Sequence, residues 1–322
     1  MSATGYLLPR PDTAGERARL DVQHELSLLV YHGSLLLSQF PPSNHSNNVA
    51  GERSLRVADL GTGTGSWAID FAQEYPLVQV VGFDLNPAPP SDIPLPTNLH
   101  FVVHDIHDPW PVQGPGGGSF DLVHGRQVLI NLKDPYAGLR HAWSNLRPGG
   151  TVEFHESWNP LVSEWETGKT KGNEQNKDDD TSRQELPLLV EWHRGTVVGS
   201  ARMGYDAGFG ARLPEALENT GFVDVEVHDS KIPLGVWTID GVVQDERTRK
   251  MGELLRRMLQ AAVPSMNIFF TQGLGWSEER VTAYAARVVE ELNREDLGGE
   301  RIYARSRNVR ARRPACPEMR LG

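Results

Sequence analysis

The sequence predicts an α/β fold: a seven-stranded, mostly parallel sheet with helices on both faces, preceded by an N-terminal helical arm and joined by helical cap additions. Three observations carry this. Between residues 55 and 157, short apolar runs alternate with stretches of helical periodicity, as in strand, helix, strand units. The runs are near-continuous in Val, Leu and Phe rather than alternating, as in strands buried on both faces. One junction, "VADLGTGTGSWAIDFA" over residues 57–72, sets three glycines at alternate positions between an apolar run and a helix-like pattern.

The elements follow in order. An arm over residues 1–48 carries Leu20, Gln23, His24, Leu28, Tyr31 and Leu35 at helical spacing, and the helix is expected to run over residues 16–38 until "FPPSNHSNN" ends it. The core, residues 49–160, opens with "LRVADL" as the first strand. "SWAIDFAQEY" is a helix with Trp67, Phe71 and Tyr75 four apart on one side, closed by Pro76. "VQVVGFDL", "LHFVVHDI" and "FDLVHG" are strands two to four. After a helix over residues 135–145, the turn "RPGG" leads into "TVEFHES", the fifth strand.

Residues 161–185 form a charged insertion almost without apolar side chains, expected to be disordered because it buries too little surface to offset its ordering entropy. Residues 186–322 complete the sheet and its cap. "LPLLVEWHRGTVVGSARM" and "LPEALENTGF" are helices, "VDVEVHDSKIPLG" is strand six, and residues 244–270 and 277–294 are helical. Ile302 and Tyr303 open a last strand.

Composition narrows the partners. A formal charge of −10 over 322 residues argues against a nucleic-acid scaffold, whose affinity needs clustered Lys and Arg. The one dense basic cluster, "RSRNVRARRP" over residues 305–314, reads as an edge strand running into a solvated tail. A single cysteine, Cys316, excludes an intrachain disulfide and a multi-cysteine metal site, and no metal ligand set is recognised. The longest apolar stretch, residues 26–37, is interrupted by His32 and Gly33 and falls short of the roughly 20 residues a membrane span requires. No membrane partner and a cytoplasmic location are expected.

The glycine turn is the chemical signal. A strand, a glycine-rich turn and a helix N-terminus let a ligand approach bare backbone. A phosphate loop would need Lys after Gly65, where Ser66 and Trp67 stand, and the dinucleotide fingerprint needs a glycine spacing that Gly61, Gly63 and Gly65 do not give. Asp59 precedes the turn at the strand end, where it would repel a pyrophosphate and attract an ammonium or sulfonium group. Asp84 ends strand two, where a carboxylate accepts from ribose hydroxyls. Asp105 follows strand three, placed to accept from an adenine amine, with Leu85 and Ile106 as apolar contacts to the ring. Thr62 belongs to the turn, and Trp67 is either a cofactor contact or a core brace.

D-x-G-x-G-x-G, the acid ending strand two, Asp-Ile after strand three and "LRPGG" before strand five together resemble class I S-adenosylmethionine-dependent methyltransferases over residues 50–160. "ERARLDVQHEL", "GFDLNP", "FDLVHGR", "KIPLGVW", "GLGWSEERV" and "IYARSRN" are similar to the LaeA-like fungal methyltransferase family across most of the chain. The resemblance implies a Rossmann-like sheet and S-adenosyl-L-methionine as cofactor, with methyl transfer to O, N or C of a small hydrophobic metabolite. It also implies two alternatives: a nuclear regulator with protein partners and a protein acceptor, or a non-methylating reaction on the same fold. Alignment in such a displacement supplies much of the rate, and a hydroxyl acceptor benefits from a base. Candidate catalytic residues at the ends of strands four and five are His124, Arg126, His155 and Glu156, with His193 as a further pocket histidine. Trp158, Trp165, Trp192, Phe209, Trp237, Met266, Phe269, Phe270 and Trp276 supply the apolar cap, most of them as core.

Overall fold

The computed structural model describes residues 13–40, 54–111, 120–163, 187–235, 245–294 and 302–315. Helix α1 (Ala14–Val30) starts at Thr13, whose hydroxyl accepts from the Glu16 amide. The core then alternates β1 (Arg56–Leu60), α2 (Ser66–Glu74), β2 (Gln79–Asp84), β3 (Leu99–Val103), β4 (Phe120–Arg126), α3 (Pro135–Asn145) and β5 (Leu146–Ser163). Asp134 caps α3 and Pro135 opens it, a start signal readable in "DPYAG". The chain continues through α4 (Leu188–Arg202), α5 (Phe209–Thr220), β6 (Val223–Pro233), α6 (Glu246–Ser265), α7 (Glu278–Leu292) and β7 (Ile302–Arg312).

The strands form one seven-stranded sheet in the order β3-β2-β1-β4-β5-β7-β6. β1 to β5 are mutually parallel, and β7 runs antiparallel to both β5 and β6. Chain order reverses between β1 and β4, and a parallel sheet opens a crevice at such a switch point, beyond the strands' carboxyl ends. α2 packs one face through Trp67, Ile69 and Phe71, and α3 and α5 cover the other through Leu139, Leu213 and Leu217. A separate apolar cluster joins α1, α4, α6 and α7 above the strand ends, with Leu26, Tyr31, Trp192, Leu255 and Phe270 at its centre.

Four expectations are corrected. The basic cluster is not on an edge: β7 is hydrogen-bonded on both sides, and β6, mostly exposed along its length, takes the edge. Arg307, Arg310 and Arg312 accordingly pair with Asp229, Glu226 and Asp224 across β6. The arm helix stops at Val30 because His32 and Gly33 take left-handed backbone (φ 56° and 84°). The residues beyond are stitched down instead by side chains: Trp67 Nε1 donates to the Leu35 carbonyl (2.9 Å), Arg310 Nη1 donates to that of Leu37 (2.8 Å), and Glu153 accepts from the Leu37 and Ser38 amides.

The helix expected over residues 244–270 ends at Ser265, after Pro264, and a π-turn follows over Phe269–Gly273. That turn crosses α4 at backbone contact, since a Cβ on Gly199 would lie 2.2 Å from the Phe269 carbonyl oxygen. Residues 161–163, expected in the charged insertion, end β5 instead, because they pair with β7. The rest of that insertion, like Trp165 and Trp237, lies outside the described residues. Among the described residues no helix is long and apolar enough to cross a membrane.

Candidate functional site

A cavity of about 1250 Å³ opens at the switch point between the strand ends and the helical cap. Pockets for one drug-sized ligand measure roughly 300–1,000 Å³, and this one is larger.

One wall is the glycine turn. Gly61, Gly63 and Gly65 all take positive φ (62°, 57° and 79°), which bends the chain from β1 into α2 without Cβ strain. A side chain at Gly61 would strike Val128 (2.7 Å), and one at Gly65 would strike the Phe101 ring (2.6 Å). Gly61 and Gly63 line the cavity, whereas Gly65 and Thr62 lie behind it. The Thr62 hydroxyl donates to Asp59 Oδ2 at 2.6 Å.

Asp84 and Asp105, with Leu85 and Ile106 beside them, line the same wall. Asp84 accepts from the Gly63 and Asn86 amides, both at 2.9 Å, which ties the end of β2 to the turn. Burial pushes its carboxyl above the usual range, and those amides work against the rise. At Asp105, burial opposes the charge but the His107 amide and ring outweigh it, so its carboxyl sits below the usual range.

Asp59 is different. It is only 3% exposed and its other oxygen meets His124 Nδ1 at 2.7 Å, so it holds the turn from beneath instead of facing the cavity as its strand-end position suggested. His124 is fully buried, and burial drives its pKa down to about 4 despite Asp59. The ring is neutral, with Nδ1–H donated to Asp59. Trp67 lies under it and lines no part of the cavity.

Of the four catalytic candidates, Arg126 and His155 line the cavity, side by side in the β4/β5 register, while His124 and Glu156 do not. Glu156 points to the other side, where one oxygen accepts from the Val128 and Leu129 amides (3.0 and 2.9 Å), and burial raises its carboxyl to about 8. His155 shares Nε2 with Glu153 Oε1 at 2.9 Å, and Nδ1 has no partner among the described residues. Burial would raise Glu153, but His155, the Leu37 amide and Ser38 hold it well below the usual range. A neutral His155 ring bonded to the Glu153 carboxylate carries its proton on Nε2, which leaves Nδ1 as an acceptor.

The cap closes the other wall. Tyr31 packs edge-on against His155 (4.7 Å), and burial pushes its hydroxyl up to about 12. Met266 and Phe269 line the cavity, whereas Trp192, Phe209 and Phe270 are core and Trp276 packs behind them. The side chain of Trp158 lies outside the described residues. His193 also faces the cavity, its pKa lowered to about 4 by burial. Among the described residues no three His, Cys, Asp or Glu side chains gather to hold a metal ion.

Sequence reasoning passed over Glu16, Arg19, Glu153 and the roles of His24 and Tyr31. The available signal was polar residues, Gln23 and His24, interrupting the apolar stripe of α1.

The chain is similar in sequence to known proteins over most of its length. The chain is 28% identical to the methyltransferase pytC of Aspergillus terreus over 291 residues, 90% of this chain and 79% of that protein. It is 28% identical to the probable methyltransferase tdiE of Emericella nidulans over 303 residues, covering 94% and 83%. The secondary metabolism regulator laeA of Monascus pilosus is 26% identical over 298 residues, covering 91% and 70%. The profile described as "Methyltransferase domain" matches residues 34–195, half of the chain. The chain therefore belongs to the methyltransferase-domain family.

Proposed function

We propose that this methyltransferase moves a methyl group from S-adenosyl-L-methionine to O, N or C of a small hydrophobic metabolite in fungal secondary metabolism. The observation that carries the reading is one cavity with two unlike walls. On one side, bare glycine backbone meets Asp84 and Asp105; on the other, α1 and α6 present Leu20, Leu26, Leu255, Met258 and Leu259, Met266 and Phe269 follow α6, and α4 adds the more polar His193, Thr196 and Ser200. The first wall suits the donor. Asp84 would accept from the ribose hydroxyls, Asp105 from the adenine amine, and Leu85 and Ile106 would flank the ring. The donor, when bound, supplies a methyl carbon already activated by its sulfonium charge.

The chain's own part is alignment. Holding the acceptor collinear with methyl and sulfur accounts for roughly 7 to 11 kcal/mol in favourable intramolecular reactions. His155, which lines the cavity, takes the proton of a hydroxyl acceptor in this reading, and Tyr31 holds the ring from its edge. His124 and Glu156 face away from the cavity, so neither is proposed to touch substrate.

The experiment is incubation of the purified protein with methyl-labelled donor and a fungal metabolite extract, followed by mass identification of what gains the methyl. A labelled small molecule is expected. Label found only on protein would favour a regulatory methyltransferase with protein partners, a reading that the relative described as a secondary metabolism regulator keeps open. Donor bound but never consumed would favour a non-methylating reaction.

A further inference from the structure

Arg126 ends β4 and faces the cavity, and its guanidinium makes a single hydrogen bond among the described residues. Its Nη1 donates to His24 Nδ1 at 3.1 Å, and His24 Nε2 meets Asp70 Oδ2 at 2.8 Å. A guanidinium can only donate, so His24 Nδ1 accepts and its Nε2–H donates to Asp70. The chain Asp70, His24, Arg126 thus runs from α2 through α1 to β4 and sets the direction of the guanidinium with a neutral ring.

No carboxylate among the described residues lies at ion-pair distance from Arg126. The three groups that act on it through space, Asp59, Tyr31 and Asp70, are each engaged elsewhere: Asp59 by Thr62 and His124, Tyr31 by Ser306, Asp70 by His24. Other charged groups of the cavity wall are matched differently. Arg19 forks onto Glu16, and Asp134 meets Arg140. Burial works against the charge on Arg126. A largely desolvated cation without an anion is costly, and four of its five N–H donors remain for a planar, two-oxygen acceptor.

Resting on the methyl-transfer reading of this cavity, we propose that Arg126, oriented by His24 and Asp70, is the receptor for a carboxylate that a ligand brings. Two ligands could bring it: the donor through its amino-acid tail, or the acceptor as an acidic, otherwise apolar metabolite. The position fits either, since Arg126 neighbours the glycine turn through β1 and His155 through β5.

The test compares probe pairs that differ only in the carboxylate, titrated calorimetrically into the wild type, Arg126→Gln and Arg126→Lys. The first pair is S-adenosylhomocysteine and its decarboxylated amine. The second is 2-naphthoate and neutral 2-naphthamide, each measured with and without S-adenosylhomocysteine. The expected result is that Arg126→Gln lowers affinity for one carboxylate probe at least about ten-fold while its neutral counterpart changes little. Arg126→Lys, which keeps the charge and loses the fork, falls between and serves if the Gln variant does not fold. Loss on the nucleoside pair assigns the donor, and loss on the naphthyl pair assigns the acceptor. A wild type that prefers neither carboxylate over its neutral partner, or variants that weaken both members of each pair alike, overturns the proposal. A wild type that binds neither nucleoside sinks the methyl-transfer reading instead, and naphthoate without nucleoside still judges Arg126.

Discussion

Trp67 lies flat against His124, with ring centroids 3.7 Å apart and planes within 7° of parallel. The indole belongs to α2 and the imidazole to β4, while Asp59 of β1 holds the imidazole by its Nδ1 edge. Helix and two central strands are thus pinned together directly beneath the glycine turn. Trp67, weighed from sequence as a cofactor contact or a core brace, stands in the structure as a brace, 3% exposed.

Trp67→Ala is therefore expected to cost about 3–5 kcal/mol in urea unfolding. Trp67→Phe keeps an aromatic face but leaves the Leu35 carbonyl without its donor, for about 1–3 kcal/mol. Folded Trp67→Phe should bind S-adenosylhomocysteine within about three-fold of the wild type. A collapse of affinity at unchanged stability would mean that the indole touches ligand after all.

The turn offers a paired comparison. Gly65 and Gly149 both take left-handed backbone (φ 79° and 82°), but only at Gly65 would a Cβ meet a neighbour, the Phe101 ring. Gly149→Ala should lose about 1 kcal/mol from backbone strain alone. Gly65→Ala should lose that plus about 1–3 kcal/mol for overpacking, and should weaken S-adenosylhomocysteine binding as the turn shifts. Equal melting-temperature losses for the two variants would argue against a packed turn.

Glu156 makes stability depend on pH. Its folded pKa, about 8, lies above the ordinary carboxylate value of 4.5, so the folded state holds the proton more tightly than the unfolded chain. The stabilisation from this group is complete below pH 4.5 and is lost as pH rises through 8. Glu156→Gln keeps an acceptor for the Val128 and Leu129 amides and cannot ionise. Denaturant midpoints measured from pH 5 to 9 should decline for the wild type more steeply than for the variant. Parallel curves would show that Glu156 is charged at neutral pH.

At the donor wall, Asp84→Asn should lower affinity for S-adenosylhomocysteine by about ten-fold or more, because an amide NH₂ would replace one of the oxygens that accept from Gly63 and Asn86. Asp105→Asn should act on the base instead, eroding the preference for S-adenosylhomocysteine over S-inosylhomocysteine, which lacks the exocyclic amine. If both variants lost affinity equally for the two nucleosides, Asp105 would have no role in reading adenine.

Much of the fold was legible because its signals are local. Apolar runs, the Pro76 and Asp134–Pro135 boundaries and the glycine triplet each act within a few residues. Acids at successive strand ends could be read the same way, and Asp84 and Asp105 do share one wall. The strands that close the sheet were found as elements, but the last of them was expected at an edge that β6 occupies. β7 looked like an edge because its arginines suggested solvent, and nothing local announced the facing acids of β6.

By itself, the sequence determined the α/β class, the mostly parallel core and the glycine turn with its neighbouring acids, since each follows from side-chain periodicity or backbone freedom over short spans. Only the tertiary structure decided which polar groups meet the cavity. His124 and His155 occupy neighbouring strand ends, yet one is stacked on Trp67 and the other faces the cap. Glu153 finds its donors in residues 37, 38, 155 and 308, and Arg126 finds its support in His24 and Asp70. Strand alternation says that a side chain has a face, but strand register and the packing of α1 and the cap decide what covers that face. Those contacts join residues up to 155 positions apart, beyond the reach of any local pattern.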